Sequence, residues 1–164
     1  MFQYIQLIYE WNRDDEKNNI PVEERKPIKI LISSVGGDLL ATEALIDMIK
    51  LSKTKVITVN ISYAYSAGAI IFLAGHERYC FSNSNALLHN GETKIQASFN
   101  DLQTANKNYQ DMIKGIQDYI VERTTIPKAT LTKKLKQGDW YLSAEEQVKY
   151  GLASSIVTDI SQII

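Results

Sequence analysis

Hydrophobic positions along the chain repeat with two periods. Phe2, Ile5, Ile8 and Tyr9 recur at helical spacing, which predicts an amphipathic helix over Phe2–Trp11. Asn12–Lys26 is crowded with charge and reads as a solvated loop, with Pro21 and Pro27 near its end. Ile28–Ser33 predicts a strand, Ser34–Gly37 a turn and Asp38–Ser52 a helix, with Asp38 at its positive N-terminus. Val56–Gly75 runs for twenty residues without a charge, the length of a membrane span. Asn60, Ser62, Ser66 and Gly68 interrupt it, and its first half is β-branched. It therefore reads as a buried strand Val56–Ile61, a sharp turn and a buried helix Ser66–Ala74. Arg78–Phe81 and Ala86–Leu88 follow as short strands around the turn cluster Ser82–Asn85.

Leu102, Ala105, Tyr109, Met112, Ile116 and Ile120 predict a long helix over Asn100–Arg123. Its apolar residues, Ile113 and Tyr119 included, exceed one narrow stripe, so this helix is expected to supply a subunit interface. Pro127 ends the segment, and Thr130–Lys136 reads as a short cationic helix. Ser143 with Glu146 three residues on is a capping box for a helix that Gly151 stops, and Ser155–Thr158 is a last strand. Strands and helices alternate, so the fold class is α/β.

Composition narrows the function. Of 164 residues, 45% are apolar and 23% charged, which suits one globular domain and excludes bulk disorder. A formal charge of −1 gives no footprint for nucleic acid or an anionic membrane. Cys80 is the one cysteine, so no intrachain disulfide forms, a reducing, cytoplasmic setting is expected, and no cysteine-based zinc site is present.

Two histidines make the search for a general base short. His76 reads as an exposed loop residue, and His89 ends the apolar run Ala86–Leu88 before the turn Asn90-Gly91. Ser66 stands where a strand gives way to a helix. It could be a plain helix cap. The same position suits a nucleophile, with the backbone N–H of Ala67 aimed at a developing oxyanion and small Ala64, Ala67 and Gly68 permitting close approach. No aspartate lies between Ser66 and His89, which disfavours an α/β-hydrolase. Acids after His89 are Asp101, Asp111, Asp118, Asp139 and Asp159. Asp139 differs in standing in a turn between Gly138 and the apolar Trp140-Tyr141-Leu142, where aromatic packing would hold it rigidly. Gly36-Gly37 is either a turn needing positive φ or the source of a second oxyanion donor.

These pieces, in this order, resemble the proteolytic subunit of the Clp protease. That family's strand–Asn-Ser-Pro-Gly-Gly–helix signature matches Ile32-Ser33-Ser34-Val35-Gly36-Gly37-Asp38, and its Gly-x-Ala-Ala-Ser motif matches Ser62–Ser66. Ala74–Arg78 is similar to its Ala-Gly-x-x-x-Arg stretch, and Leu87-Leu88-His89 to its Met-Ile-His. Its Asp-x-Phe-Leu-Ser-Ala-x-Glu-Ala-x-x-Tyr-Gly-Leu pattern matches Asp139–Leu152. The resemblance implies a ClpP/crotonase-like fold of repeated β-β-α units, with a head at roughly 1–89 and 138–164 and a helical handle at roughly 90–137. It implies a serine endopeptidase with Ser66 as nucleophile, His89 as base, Asp139 as orienting acid and the N–H groups of Gly37 and Ala67 as oxyanion hole. It implies no cofactor and no metal, polypeptide substrates, a homo-oligomer of heptameric or stacked rings, and an AAA+ unfoldase partner that alone would use ATP.

The pattern also departs from the family's. Val35 replaces the signature proline, Ser62 the motif glycine, Asn90-Gly91 the Gln-Pro after the histidine, and Gly138 an arginine that pairs across rings. Glu92–Ser98 stands where the family has a glycine-rich, substrate-binding strand, and the loop at Asn12–Lys26 is longer than usual. The sequence starts at the helix that follows the family's first strand, so the segment lining the axial pore is expected to be missing. The departures resemble phage-encoded or mobile-element relatives. A phage prohead protease, a ring subunit with a collapsed triad, and crotonase-type acyl-CoA chemistry are the alternatives.

Overall fold

Strand β2 (Val56–Tyr65) is the axis on which the remaining elements are hung. The computed structural model describes residues 1–94 and 96–164, with Asn100 described by its backbone alone. Ile95, in the Glu92–Ser98 segment that replaces the family's glycine-rich strand, lies outside the described residues. Along one edge β2 pairs in parallel with β1 (Ile28–Ser34). Along the other it pairs first with β3 (Glu77–Cys80) and then with β4 (Asn85–Leu88), both parallel. β5 (Trp140–Leu142) runs antiparallel to β4, and β6 (Ser155–Ile156) pairs in parallel with β3. Among the described residues this makes one six-stranded sheet.

Alternation along β2 separates two cores. Val56 and Ala64 join α2 (Leu39–Leu51), α3 (Ala67–Ala74) and α4 (Phe99–Arg123) through Ile49, Phe72, Leu73 and Ile120. Ile57 and Val59 point the other way, to a smaller cluster with Ile163. α5 (Lys128–Gln137) and α6 (Ala144–Lys149) complete the large core with Leu131, Leu135 and Ala144. The Ser143 capping box is formed as expected. No described helix is long and apolar enough to cross a membrane.

The main correction concerns α1, which runs from Phe2 to Lys17 instead of ending at Trp11. Its last turns face inward with polar residues. Asn12 Oδ1 accepts from the N–H groups of Lys53 and Thr54, and its Nδ2 donates to Ser52 Oγ at 2.8 Å. Buried Asp15 accepts from Thr54 Oγ1 at 2.6 Å. The helix thus satisfies the turn between α2 and β2, and charge is no sign of a loop here. Only Asn18–Lys26 remains outside a helix or strand, with a 3-10 turn at Val22–Glu24.

α4 covers part of its apolar surface with its own chain. Tyr109, Met112, Ile113, Ile116 and Tyr119 are partly buried by their own chain, and Ile120 is fully so. The apolar residues that α4 leaves exposed are Phe99 and Leu102, at its start.

Candidate active site

Three neighbouring strands end together. β2 runs out at Tyr65 and β4 at Leu88, while antiparallel β5 begins at Trp140. Ser66, His89 and Asp139 are the next residue at each of these ends, so strand pairing alone sets them side by side. The last β4–β5 partners are Leu88 and Trp140, one step from His89 and Asp139.

Ser66 occupies a strained backbone position, φ 55° and ψ −124°, which a residue with a Cβ rarely adopts. Its N–H donates to Leu87 O at 3.0 Å, and its carbonyl accepts from Ala69 and Ile70 in the first turn of α3. The turn is thus held from both sides, and the side chain stands clear of both strand and helix. Gly36, at φ 101°, presses against it: a Cβ there would lie 2.8 Å from Ser66 Cβ and from Tyr65 O. A Cβ on Gly68 would come within 3.1 Å of Ser34. Of the small residues expected to permit close approach, Gly68 does so, and Gly36 takes the tightest place at the turn. Gly37 makes no such contact, and Ala67 N–H is the first of α3, where a helix leaves N–H groups without internal partners.

Ser66 Oγ and His89 Nε2 are 2.7 Å apart. With the serine hydroxyl donating, Nε2 accepts and the ring's proton sits on Nδ1. That nitrogen faces Asp139 Oδ1 at 3.6 Å, too long for a hydrogen bond but within ion-pair range. The Asp139 side chain is 52% exposed, so the expected aromatic packing around it is absent: Trp140 is buried against Tyr150 instead. Gly138, at φ 120°, ends α5 and turns the chain into β5. Asp101, Asp111, Asp118 and Asp159 are not brought to His89, and Asp118 pairs with Lys128.

His76 is at the wrong end. Its Nδ1 accepts from Val56 N–H at 2.9 Å, at the start of β2, about 30 Å of strand away from Ser66. Burial, aided by Arg123 and Lys55, holds its pKa below the ordinary value. Cys80 is buried, and burial pushes its thiol up to about 11.

Sequence reasoning missed the fastening of the histidine. Asn90 Nδ2 donates to Leu135 O, Gln117 Nε2 donates to Asn90 Oδ1 at 2.8 Å, and Tyr109 Oη donates to Asn90 O. The residue after His89 is thus tied to both α4 and α5. No local signal marks it, because its partners lie 19 to 45 residues away. Ser66 and His89 open onto a groove of about 880 Å³ between α2 and α4, walled by Leu39, Gly91, Tyr109 and Met112.

Comparison with known proteins shows the family. A family model described as Clp protease matches residues 21–159. The chain belongs to the Clp protease family. It is 32% identical over 138 residues to the ATP-dependent Clp protease proteolytic subunit 3 of Rhizobium meliloti (strain 1021), covering 83% of this chain and 70% of that protein. It is 34% identical over 140 residues to proteolytic subunit 2 of Treponema denticola, covering 84% and 70%. A proteolytic subunit of Paracoccus denitrificans is 28% identical over 140 residues, again 84% and 70%. The Clp family member described here is a serine-type peptidase on a mixed α/β fold.

Proposed function

We propose that Ser66, His89 and Asp139 are the catalytic triad of this peptidase, with the N–H groups of Gly37 and Ala67 as oxyanion donors. The observation that carries the reading is the 2.7 Å Ser66–His89 contact at a strained strand-to-helix turn. His89 Nε2 takes the hydroxyl proton as Ser66 Oγ attacks a peptide carbonyl. The imidazolium then carries a proton on each ring nitrogen, and Asp139 draws in on Nδ1–H by about 0.8 Å to reach charge-assisted hydrogen-bond length. The two N–H groups hold the oxyanion, the leaving amine takes the proton from His89, and water releases the acyl-enzyme by the reverse sequence. No cofactor takes part.

The substrates are unfolded polypeptides, and the working form is a cytoplasmic homo-oligomeric ring, heptameric or stacked, fed by an AAA+ unfoldase. The Clp names of the relatives and the open groove at Ser66 support this. A fluorophosphonate probe tests the chemistry directly. It is expected to modify Ser66, located by peptide mass spectrometry, and Ser66→Ala is expected to abolish both labelling and peptide hydrolysis. A folded wild-type protein that resists the probe in every assembly state would overturn the reading.

A further inference from the structure

A buried amide pair lies at the far end of the strands that carry the triad. Gln147 of α6 and Asn60 of β2 are both fully buried. Asn60 Nδ2 donates to Gln147 Oε1 at 3.0 Å and to Asn85 O at 2.9 Å. Gln147 Nε2 reaches Ser84 O at 3.2 Å, and Ser84 Oγ and Leu142 O at 3.4 Å each. One side chain therefore joins the middle of β2, the start of β4 and the end of β5. These are the three strands whose opposite ends bear Ser66, His89 and Asp139.

The pair is not there for stability alone. Two amides are buried in place of apolar groups, and Asn60 Oδ1 has no partner among the described residues, which carries a desolvation penalty. Gln147 also stands where the family pattern has alanine. What it gains is register. β5 meets β4 through three residue pairs, Ala86–Leu142, Leu87–Tyr141 and Leu88–Trp140. So short a ladder specifies its register weakly, and a slip of one residue would turn Trp140 outward and carry Asp139 away from His89. The amide ties Leu142, which closes the ladder's far end opposite Ala86, to Ser84 just ahead of β4. The Asp139 carboxylate, half exposed and 3.6 Å from its partner, has little else to fix it.

We propose that Gln147, braced by Asn60, is a positioning residue that sets Asp139 against His89 by fixing the β4–β5 register. The proposal rests on the triad reading above.

The test compares peptide hydrolysis and thermal melting for the wild type, Gln147→Met, Asp139→Asn, their double variant, and the swap Asn60→Gln with Gln147→Asn. Gln147→Met keeps the side-chain length and loses the amide. It is expected to stay folded and to lose on the order of 10²-fold in kcat/KM, the typical cost of a misplacement of about 1 Å. In the Asp139→Asn background it is expected to add no further loss, because both changes remove the same interaction. The swap keeps the amide–amide bridge but shortens residue 147 by one carbon, so it loses the reach to Leu142 and is expected to stay folded and to be as slow as Gln147→Met.

Gln147→Met that keeps wild-type activity overturns the proposal. So does a loss that multiplies with that of Asp139→Asn, or a normally melting swap that regains wild-type activity without the reach to Leu142. If Asp139→Asn alone keeps full activity, it is the triad reading that fails, and this inference falls with it.

Discussion

Gly36 is the residue on which the Ser66 turn leans hardest. Its φ of 101° and its 2.8 Å approach to Ser66 leave no room for a methyl group. Gly36→Ala is expected to destabilise the fold by about 1–3 kcal/mol through backbone strain alone. At about 2–4 °C per kcal/mol for a chain of this size, differential scanning calorimetry should show a clear fall in melting temperature, with Ser66 no longer labelled by a phosphonate. Unchanged labelling would mean that the turn tolerates a shift. His76 gives a second test. Val56 N–H donates to its ring nitrogen, a bond only the neutral ring accepts, and its folded pKa lies below the unfolded value. The unfolded state therefore binds the proton more readily, and the stabilisation is complete above about pH 6.5 and is lost as pH falls below it. Melting temperature should drop between pH 7.5 and 5.5 in the wild type and less so in His76→Gln. At this scale most of the candidate site was legible in the sequence. Ser66, His89 and Asp139 stand at strand ends or turns that can be read locally, and their geometry follows from pairing. Gly36 and Asn90 could not be assigned their contacts, because both act on residues distant in the chain.

At the scale of elements, legibility followed the source of helix stability. α2, α3 and α4 bury apolar faces, and their periodicity located them within a residue or two. The second half of α1 is held by Asn12 and Asp15, whose partners are a backbone turn and a threonine hydroxyl, so no apolar period exists there to be read. β2 was read too short because Ser62 and Tyr63 break its apolar run, though pairing with β4 continues to Tyr65. α4 contains a glycine that nothing explains by contact: a Cβ on Gly115 would meet no atom within 4 Å. Gly115→Ala is expected to stabilise the helix by about 0.5–1 kcal/mol, because glycine loses more backbone entropy on folding. Thermal melting of the two proteins measures this, and a lower melting temperature for the alanine variant would show that the position needs an empty surface.

On the whole molecule, exposed apolar residues are spread over several elements, but two sets of them each share a helix. Tyr4, Leu7 and Trp11 follow one another at helical spacing along α1, roughly 100° around the helix from the face that Ile5, Ile8 and Asn12 turn to the body of the molecule. Phe99 and Leu102 form a second such group, on another helix. A net charge of −1 supplies little repulsion to keep copies apart. A closed ring is made by a heterologous contact, in which each subunit offers two different patches, and two separate apolar groups on one chain are the minimum such a contact requires. If the α1 stripe is one of them, a charge at its centre should break the ring without unfolding the subunit, because Leu7 adds nothing to the chain's own core. Leu7→Glu is therefore expected to keep the wild-type circular dichroism spectrum and to shift native mass from a multisubunit particle to monomer. A wild-type protein that is already monomeric at micromolar concentration would refute the ring. A Leu7→Glu protein that still assembles would place the ring contact elsewhere, with Phe99 and Leu102 as the next residues to charge.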